Sequence, residues 1–258
     1  MRKLFLENSP IAYVMDDTQQ KEWVIFIHAA FVDHRMFQEQ IKYFSGKYNV
    51  IAVDILGHGD SLHAKKGDTI DQMSLWIAQI MEKHQIFAAH FVGVSLGAII
   101  IQDFACRYEN KVSSLACFGG YDIFHFDKEK QKKNSKSQMK MMMKALFSIR
   151  WFAKDNKKIS AYSKKGQEIF YQLNLQFKKS SFRYFTKLGN IGRCEEKERT
   201  YPLLIGCGEY DIPMEIEIIH EWGKRENCES VIFPLAGHCV NLDVPEEFCA
   251  YLEKFWAK

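Results

Sequence analysis

Apolar positions along this chain follow two alternating rhythms. Short unbroken runs of β-branched and aromatic residues occur at 23–27, 50–54, 112–118, 202–206 and 230–233, and another leads into position 95. A strand covered on both faces reads this way, because neither side of it meets water. Between the runs, apolar residues recur every three to four positions. Met36, Phe37, Ile41 and Phe44 keep helical spacing up to Gly46, and Met73, Trp76, Ile77, Ile80 and Met81 mark one face of a helix over about 70–85. That helix opens on Thr69 followed by Gln72, a capping-box pattern. Ile216, Ile219 and Trp222 predict a further helix, and Val244 to Trp256 a terminal one. Residues 2–7 and 11–15, parted by Asn8-Ser9-Pro10, predict an edge hairpin. Strands alternating with helices predict an α/β fold, a doubly wound and mostly parallel sheet of about eight strands. The rhythm breaks once: from about 122 to 199 the pattern is helical throughout. The expected organisation is a core made of 1–121 and 200–258, with 122–199 inserted as a helical cap or lid.

Composition changes this picture in one place. The 258 residues contain no Pro/Gly/Ser-rich linker, are 47% hydrophobic, and carry a formal charge of +3, too little to argue for a nucleic-acid partner. Residues 122–200, however, hold 20 Lys and Arg against 8 Asp and Glu, a net of +12 that leaves −9 for the remainder. In that segment Met139, Met142, Met143 and Leu146 fall on one helical face. Such a flexible apolar stripe suits a lid above a hydrophobic pocket, with Met142 and Met143 as candidate substrate contacts, or equally the packed underside of an inserted helix. The seven cysteines are odd in number and scattered without a C-x-x-C pair, so reduced thiols are expected, with neither a disulfide framework nor a zinc site. The N-terminal apolar run Leu4-Phe5-Leu6 is cut by Glu7, too short for a signal peptide. No run approaches the ~18–20 apolar residues of a membrane span, and the expected location is the cytoplasm. Monomer and dimer both remain open.

The candidate chemistry centres on Gly93-Val94-Ser95-Leu96-Gly97, where an apolar strand meets G-x-S-x-G and runs directly into a helical pattern. A sharp strand–turn–helix forces its central serine into a strained backbone conformation, so the residues two before and two after it must be very small. The turn also leaves the hydroxyl at a helix N-terminus, where unpaired N–H groups favour negative charge. A serine hydroxyl needs a histidine to take its proton and a carboxylate to fix that histidine's tautomer. Downstream, Asp211 follows one buried run in Gly208-Glu209-Tyr210-Asp211, and His238 follows the last one in Gly237-His238. Both loops belong to the carboxyl edge of the sheet, where ligands bind in open α/β folds. Asp122, just after another run, is a rival for the acid. The loop Asp54 to Ser61 is Gly-rich but opens no helix, which favours a tight structural turn over a phosphate cradle.

With these pieces in order, the chain resembles the α/β-hydrolase superfamily over essentially its whole length, in the branch of small cytoplasmic serine hydrolases with a helical cap. The matching residues are His28-Ala29-Ala30-Phe31 for H-G-x-x, Asp54 to Ser61 for D-x-x-G-H-G-x-S, the 93–97 elbow, 208–211 for G-x-x-D, and 237–238. The resemblance implies Ser95 as nucleophile, His238 as general base and then acid, Asp211 as its orienting partner, and the N–H groups of Leu96 and Ala30 as oxyanion hole. Phe31 beside that hole becomes a candidate substrate contact. One departure is Ala29, where the family usually has glycine. The implied activity is hydrolysis of a small carboxylic ester with no metal or organic cofactor. Thioester, lactone and carbon–carbon bond hydrolysis need the same residues. A slow-turnover ligand sensor that signals through a partner is the reading from another class.

Overall fold

The computed structural model describes residues 1–125 and 143–258. Eight strands form one sheet: β1 (Arg2–Phe5), β2 (Ala12–Asp16), β3 (Trp23–Ile27), β4 (Asn49–Val53), β5 (Ala89–Val94), β6 (Val112–Phe118), β7 (Leu203–Gly208) and β8 (Glu229–Phe233). Their spatial order is β1-β2-β4-β3-β5-β6-β7-β8, with β1 and β2 antiparallel to their neighbours and every pair from β4 to β8 parallel. The N-terminal pair is the predicted edge hairpin, and the rest is the predicted doubly wound sheet.

The unbroken apolar runs follow from two cores, one on each face. Along β3, Ile25 and Ile27 join one buried cluster, while Val24 and Phe26 join the other. On the first face lie α2 (Met73–Lys83), α3 (Leu96–Arg107) and, through Ile219 and Trp222, α6 (Pro213–Glu226). On the second lie α1 (Gln38–Phe44) and α8 (Pro245–Trp256), the latter through Phe248, Leu252 and Phe255. Gln72 accepts a hydrogen bond from the Thr69 amide at 2.8 Å, the reciprocal half of the expected capping box.

Between β6 and β7 the chain leaves the sheet. Among the described residues this excursion contains α4 (Ile149–Ser160), α5 (Lys164–Asn174) and a run of 3₁₀ turns over Lys179–Asn190, with no strand. Met139 and Met142 lie outside the described residues. The other two members of the methionine-rich stripe stand open, Met143 at 46% exposure and Leu146 at 52%.

One expectation is corrected here. Cys106, at the end of α3, and Cys194 are joined in a disulfide across 88 residues of sequence. Spacing gave no hint of it, because the fold rather than the local chain brings the two together. Cys117, Cys207, Cys228, Cys239 and Cys249 are free.

Candidate active site

Ser95 sits at the tip of a turn that its neighbours make possible. Its backbone is left-handed at φ 55°, a conformation that costs a non-glycine residue energy. Main chain packs tightly on both sides. A β-carbon on Gly93 would lie 2.5 Å from the Gly97 carbonyl, and one on Gly97 would lie 2.0 Å from the Ile27 oxygen. The second contact presses the start of α3 against the end of β3. The Ser95 amide donates to the Phe118 carbonyl at 2.8 Å, which fixes the turn against β6.

The histidine and the acid arrive from the neighbouring strand ends. After β7, Tyr210 donates its amide to the Ala236 carbonyl at 2.8 Å, knitting the loop of Asp211 to the loop of His238. Glu209 accepts from the Leu235 amide at 3.3 Å and so helps to fix that second loop. His238 Nδ1 lies 3.0 and 3.1 Å from the two oxygens of Asp211, whose side chain is fully buried. A carboxylate can only accept, so Nδ1 carries a proton, and in the neutral ring Nε2 is the nitrogen left with its lone pair. The imidazole ring packs on Gly119, where a β-carbon would come within 3.0 Å of it. Gly119 directly follows the Phe118 carbonyl that holds Ser95, so the ring stands next to the elbow. Burial works against protonation of His238, but the charge and hydrogen bonds of Asp211 outweigh it and raise the imidazole above its ordinary range.

The rival acid is committed elsewhere. Asp122 pairs with Arg225 of α6 and with His125 Nδ1 at 3.1 Å, and accepts from the Phe124 amide at 2.9 Å. The motif histidines are framework. His28 donates from Nδ1 to the Ala29 carbonyl at 2.7 Å and accepts at Nε2 from the Ile55 amide at 2.9 Å, tying the ends of β3 and β4 together as a neutral ring. His58 is fully enclosed, and burial pushes it down to about 3. The 54–61 loop is the tight turn expected. Gly59 has φ +50°, and a β-carbon there would meet the Asp54 carboxylate at 2.3 Å.

Asp33, His34 and Asp54 bring ligand-type atoms within 4.8 Å of one another, the one such group among the described residues. Both carboxylates are already engaged, Asp33 by the Arg35 guanidinium at 2.8 Å and Asp54 by the His34 amide and ring, each at 2.9 Å.

The remaining candidates separate. Ala29 is buried, its methyl absorbed into the second core. Phe31 adopts φ 69° and meets four phenylalanines of the excursion: Phe152 at 4.9 Å, Phe177 at 5.2 Å, Phe185 at 5.8 Å and Phe182 at 5.9 Å between ring centroids. Asn174 of α5 donates to the Phe31 carbonyl at 3.1 Å. Met143 is exposed, and Met142 is outside the described residues. Sequence reading passed over Glu215, buried one helical turn beyond Asp211, and Asp243, five residues beyond His238. The first looks like an ordinary helix-start carboxylate, and the second meets partners some eighty residues away.

A strained serine between two glycines and a hydrogen-bonded His–Asp pair, following three parallel strands of one eight-stranded sheet, define a class. The chain belongs to the α/β hydrolase fold family, whose sequence profile matches residues 22–245. Over nearly its full length it is similar to an (E)-2-((N-methylformamido)methylene)succinate hydrolase of Acinetobacter baylyi, 22% identical over 254 residues and covering 95% of this chain and 94% of that one. Several other curated relatives align over only 25% to 34% of their own length, among them the 3-oxoadipate enol-lactonase 2 of the same organism, 32% identical over 92 residues, or 36% of this chain and 34% of the relative. Of the solved structures, a thermophilic esterase from Thermogutta terrifontis superposes with a TM-score of 0.78 at 19% identity, over 99% of this chain and 97% of that one, a likeness of fold. No described helix is long and apolar enough to cross a membrane.

Proposed function

We propose that the protein is a serine hydrolase that cleaves a small carboxylic ester through an acyl-Ser95 intermediate. The observation that carries this reading is the pairing of His238 Nδ1 with buried Asp211 at 3.0 Å beside the strained turn of Ser95. Ser95 Oγ attacks the ester carbonyl carbon while His238 Nε2 takes its proton. The oxyanion meets the N–H groups of Leu96, at the start of α3, and of Ala30, in the loop after β3. Collapse breaks the ester C–O bond, and the alcohol leaves with the proton from His238. Water then gives a proton to His238, attacks the acyl carbon and releases the carboxylic acid, and the proton returns to Ser95.

The excursion of 122–199 acts as a cap over this site. Phe31, ringed by phenylalanines of that segment, lines the apolar part of the pocket, with Met143 as a further contact. A lactone is an intramolecular ester and would react by the same steps, as would a thioester. The natural substrate is a small molecule, and the chemistry needs no cofactor.

The test is steady-state turnover of p-nitrophenyl esters of increasing acyl length. Ser95→Ala is expected to lower kcat by orders of magnitude, on the scale of the ~10⁶ lost with a triad nucleophile, while the fold survives. Asp211→Asn should cost up to ~10⁴-fold, by analogy with other triad aspartates. Asp122→Asn should instead reduce stability and leave most of the rate. One acylation followed by stalling would favour the ligand-sensor reading, and undiminished turnover by Ser95→Ala would refute the nucleophile.

A further inference from the structure

Asp243 ends the short helix α7 (Val240–Asp243) that follows the loop of His238. Its carboxylate accepts three main-chain N–H groups from two separate parts of the chain. Oδ2 takes Gly237 at 2.8 Å and Tyr162 at 2.8 Å, and Oδ1 takes Ser163 at 2.7 Å. Gly237 precedes His238, whereas Tyr162 and Ser163 connect α4 to α5 in the proposed cap.

Two further contacts run along the same seam. The Cys239 amide donates to the Ser160 carbonyl at 2.7 Å, so the residues on both sides of His238 are bonded to the 160–163 connection or to the carboxylate that holds it. The Tyr162 ring stacks on Tyr210, beside the acid, with centroids 3.9 Å apart and planes 13° from parallel. The carboxylate is also closely fitted from the cap side. A β-carbon on Gly166, in the first turn of α5, would come 2.5 Å from Asp243 Oδ1.

The geometry points to Asp243 as a positioning residue: by gathering the amides of Gly237, Tyr162 and Ser163 on one carboxylate, it makes the cap connection and the His238 loop a single mechanical unit. Displacement of the cap connection then displaces the imidazole relative to Ser95. A carboxylate suits this role because it accepts in several directions at once and donates nothing, and hydrogen bonds to an ionised acceptor are the strong ones. The inference rests on the assignment of His238 as base.

Two variants test it. In Asp243→Asn the amide nitrogen replaces one acceptor and faces an N–H donor. In Gly166→Ala the carboxylate is kept but the methyl forces it aside, although the same change would ordinarily strengthen a helix. Each is expected to lower kcat on a p-nitrophenyl ester by roughly 10- to 100-fold, the scale of loss that follows a small misplacement of catalytic groups, with KM altered less. Hydrogen exchange is expected to show residues 161–163 and 237–239 losing protection together. If Asp243→Asn does not fold, Gly166→Ala alone decides. A folded variant with kcat within twofold of the parent, or one in which 161–163 open while 237–239 stay protected, overturns the inference. Should the parent hydrolyse no ester, the hydrolase reading fails by itself, and the exchange experiment still decides whether the two segments move as one.

Discussion

At the scale of single residues, the site holds one carboxyl more than the chemistry uses. Glu215 is 7% exposed, and its Oε2 has no hydrogen-bond partner among the described residues. Burial is the main cause that raises it to about 7, with Asp211 adding to the rise and His238 opposing it. Two consequences have definite signs. Between the ordinary carboxyl value of 4.5 and about 7 the folded chain holds a proton that the unfolded chain has released, so this group's contribution to stability falls as pH rises through that window. Glu215→Gln is expected to remove that slope, as measured by denaturant midpoints between pH 4.5 and 7. The ionised carboxylate also helps to keep His238 protonated. In Glu215→Gln the rising limb of kcat against pH should therefore move to lower pH, and a limb that stays in place would show that Glu215 does not act on the imidazole.

At the scale of elements, the elbow depends on how closely α3 approaches β3. Gly97 belongs to the first turn of the helix, where alanine would normally be preferred. Here the added methyl would meet the main-chain oxygens of Ile27 at 2.0 Å and His28 at 2.9 Å, atoms that cannot move without disturbing β3 and its loop. Gly97→Ala is expected to destabilise by ~3 kcal/mol or more, the upper end of the cost of overpacking, and to lower the rate by shifting the Ala30 amide away from Leu96. Chemical denaturation together with ester turnover checks both effects. Stability equal to that of the parent would mean that the elbow has slack the packing does not indicate.

At the scale of the whole molecule, charge is divided. The segment 122–200 carries a net +12 and the remainder −9. Lysines that merely solvate the proposed cap would leave hydrolysis of neutral and anionic esters equally sensitive to salt. Lysines that surround the entrance would steer an anionic ester inward, so that its kcat/KM alone falls as salt shortens the Debye length to ~10 Å at 0.1 M. Two described lysines of this segment have acidic partners, Lys144 with Asp155 at 2.6 Å and Lys157 with Glu168 at 3.5 Å. The first outcome is therefore expected, and a salt series on a matched pair of esters measures it. A selective loss for the anionic ester would assign the charge to substrate capture.

The local chemistry of the chain was enough to settle the sheet and to single out candidate groups. Strands buried on both faces must be written as continuous apolar runs, and a serine at φ 55° must have glycine at 93 and 97, so both features are legible in one dimension. The order Ser95, Asp211, His238 follows from which runs end where on one sheet edge. What the chain could not express locally is anything that depends on two distant segments meeting. Asp122 is held by Arg225 and His125, contacts that no spacing along the chain announces. The Cys106–Cys194 disulfide needed α3 to end beside a segment 88 residues later. Phe31 found its partners only when the excursion folded back over it, and Asp243 received its three amides the same way. Short-range sterics and hydrophobic periodicity act within a few residues and leave their mark on sequence. Side-chain pairings across the fold depend on where the helices and loops come to rest, and that is decided by packing.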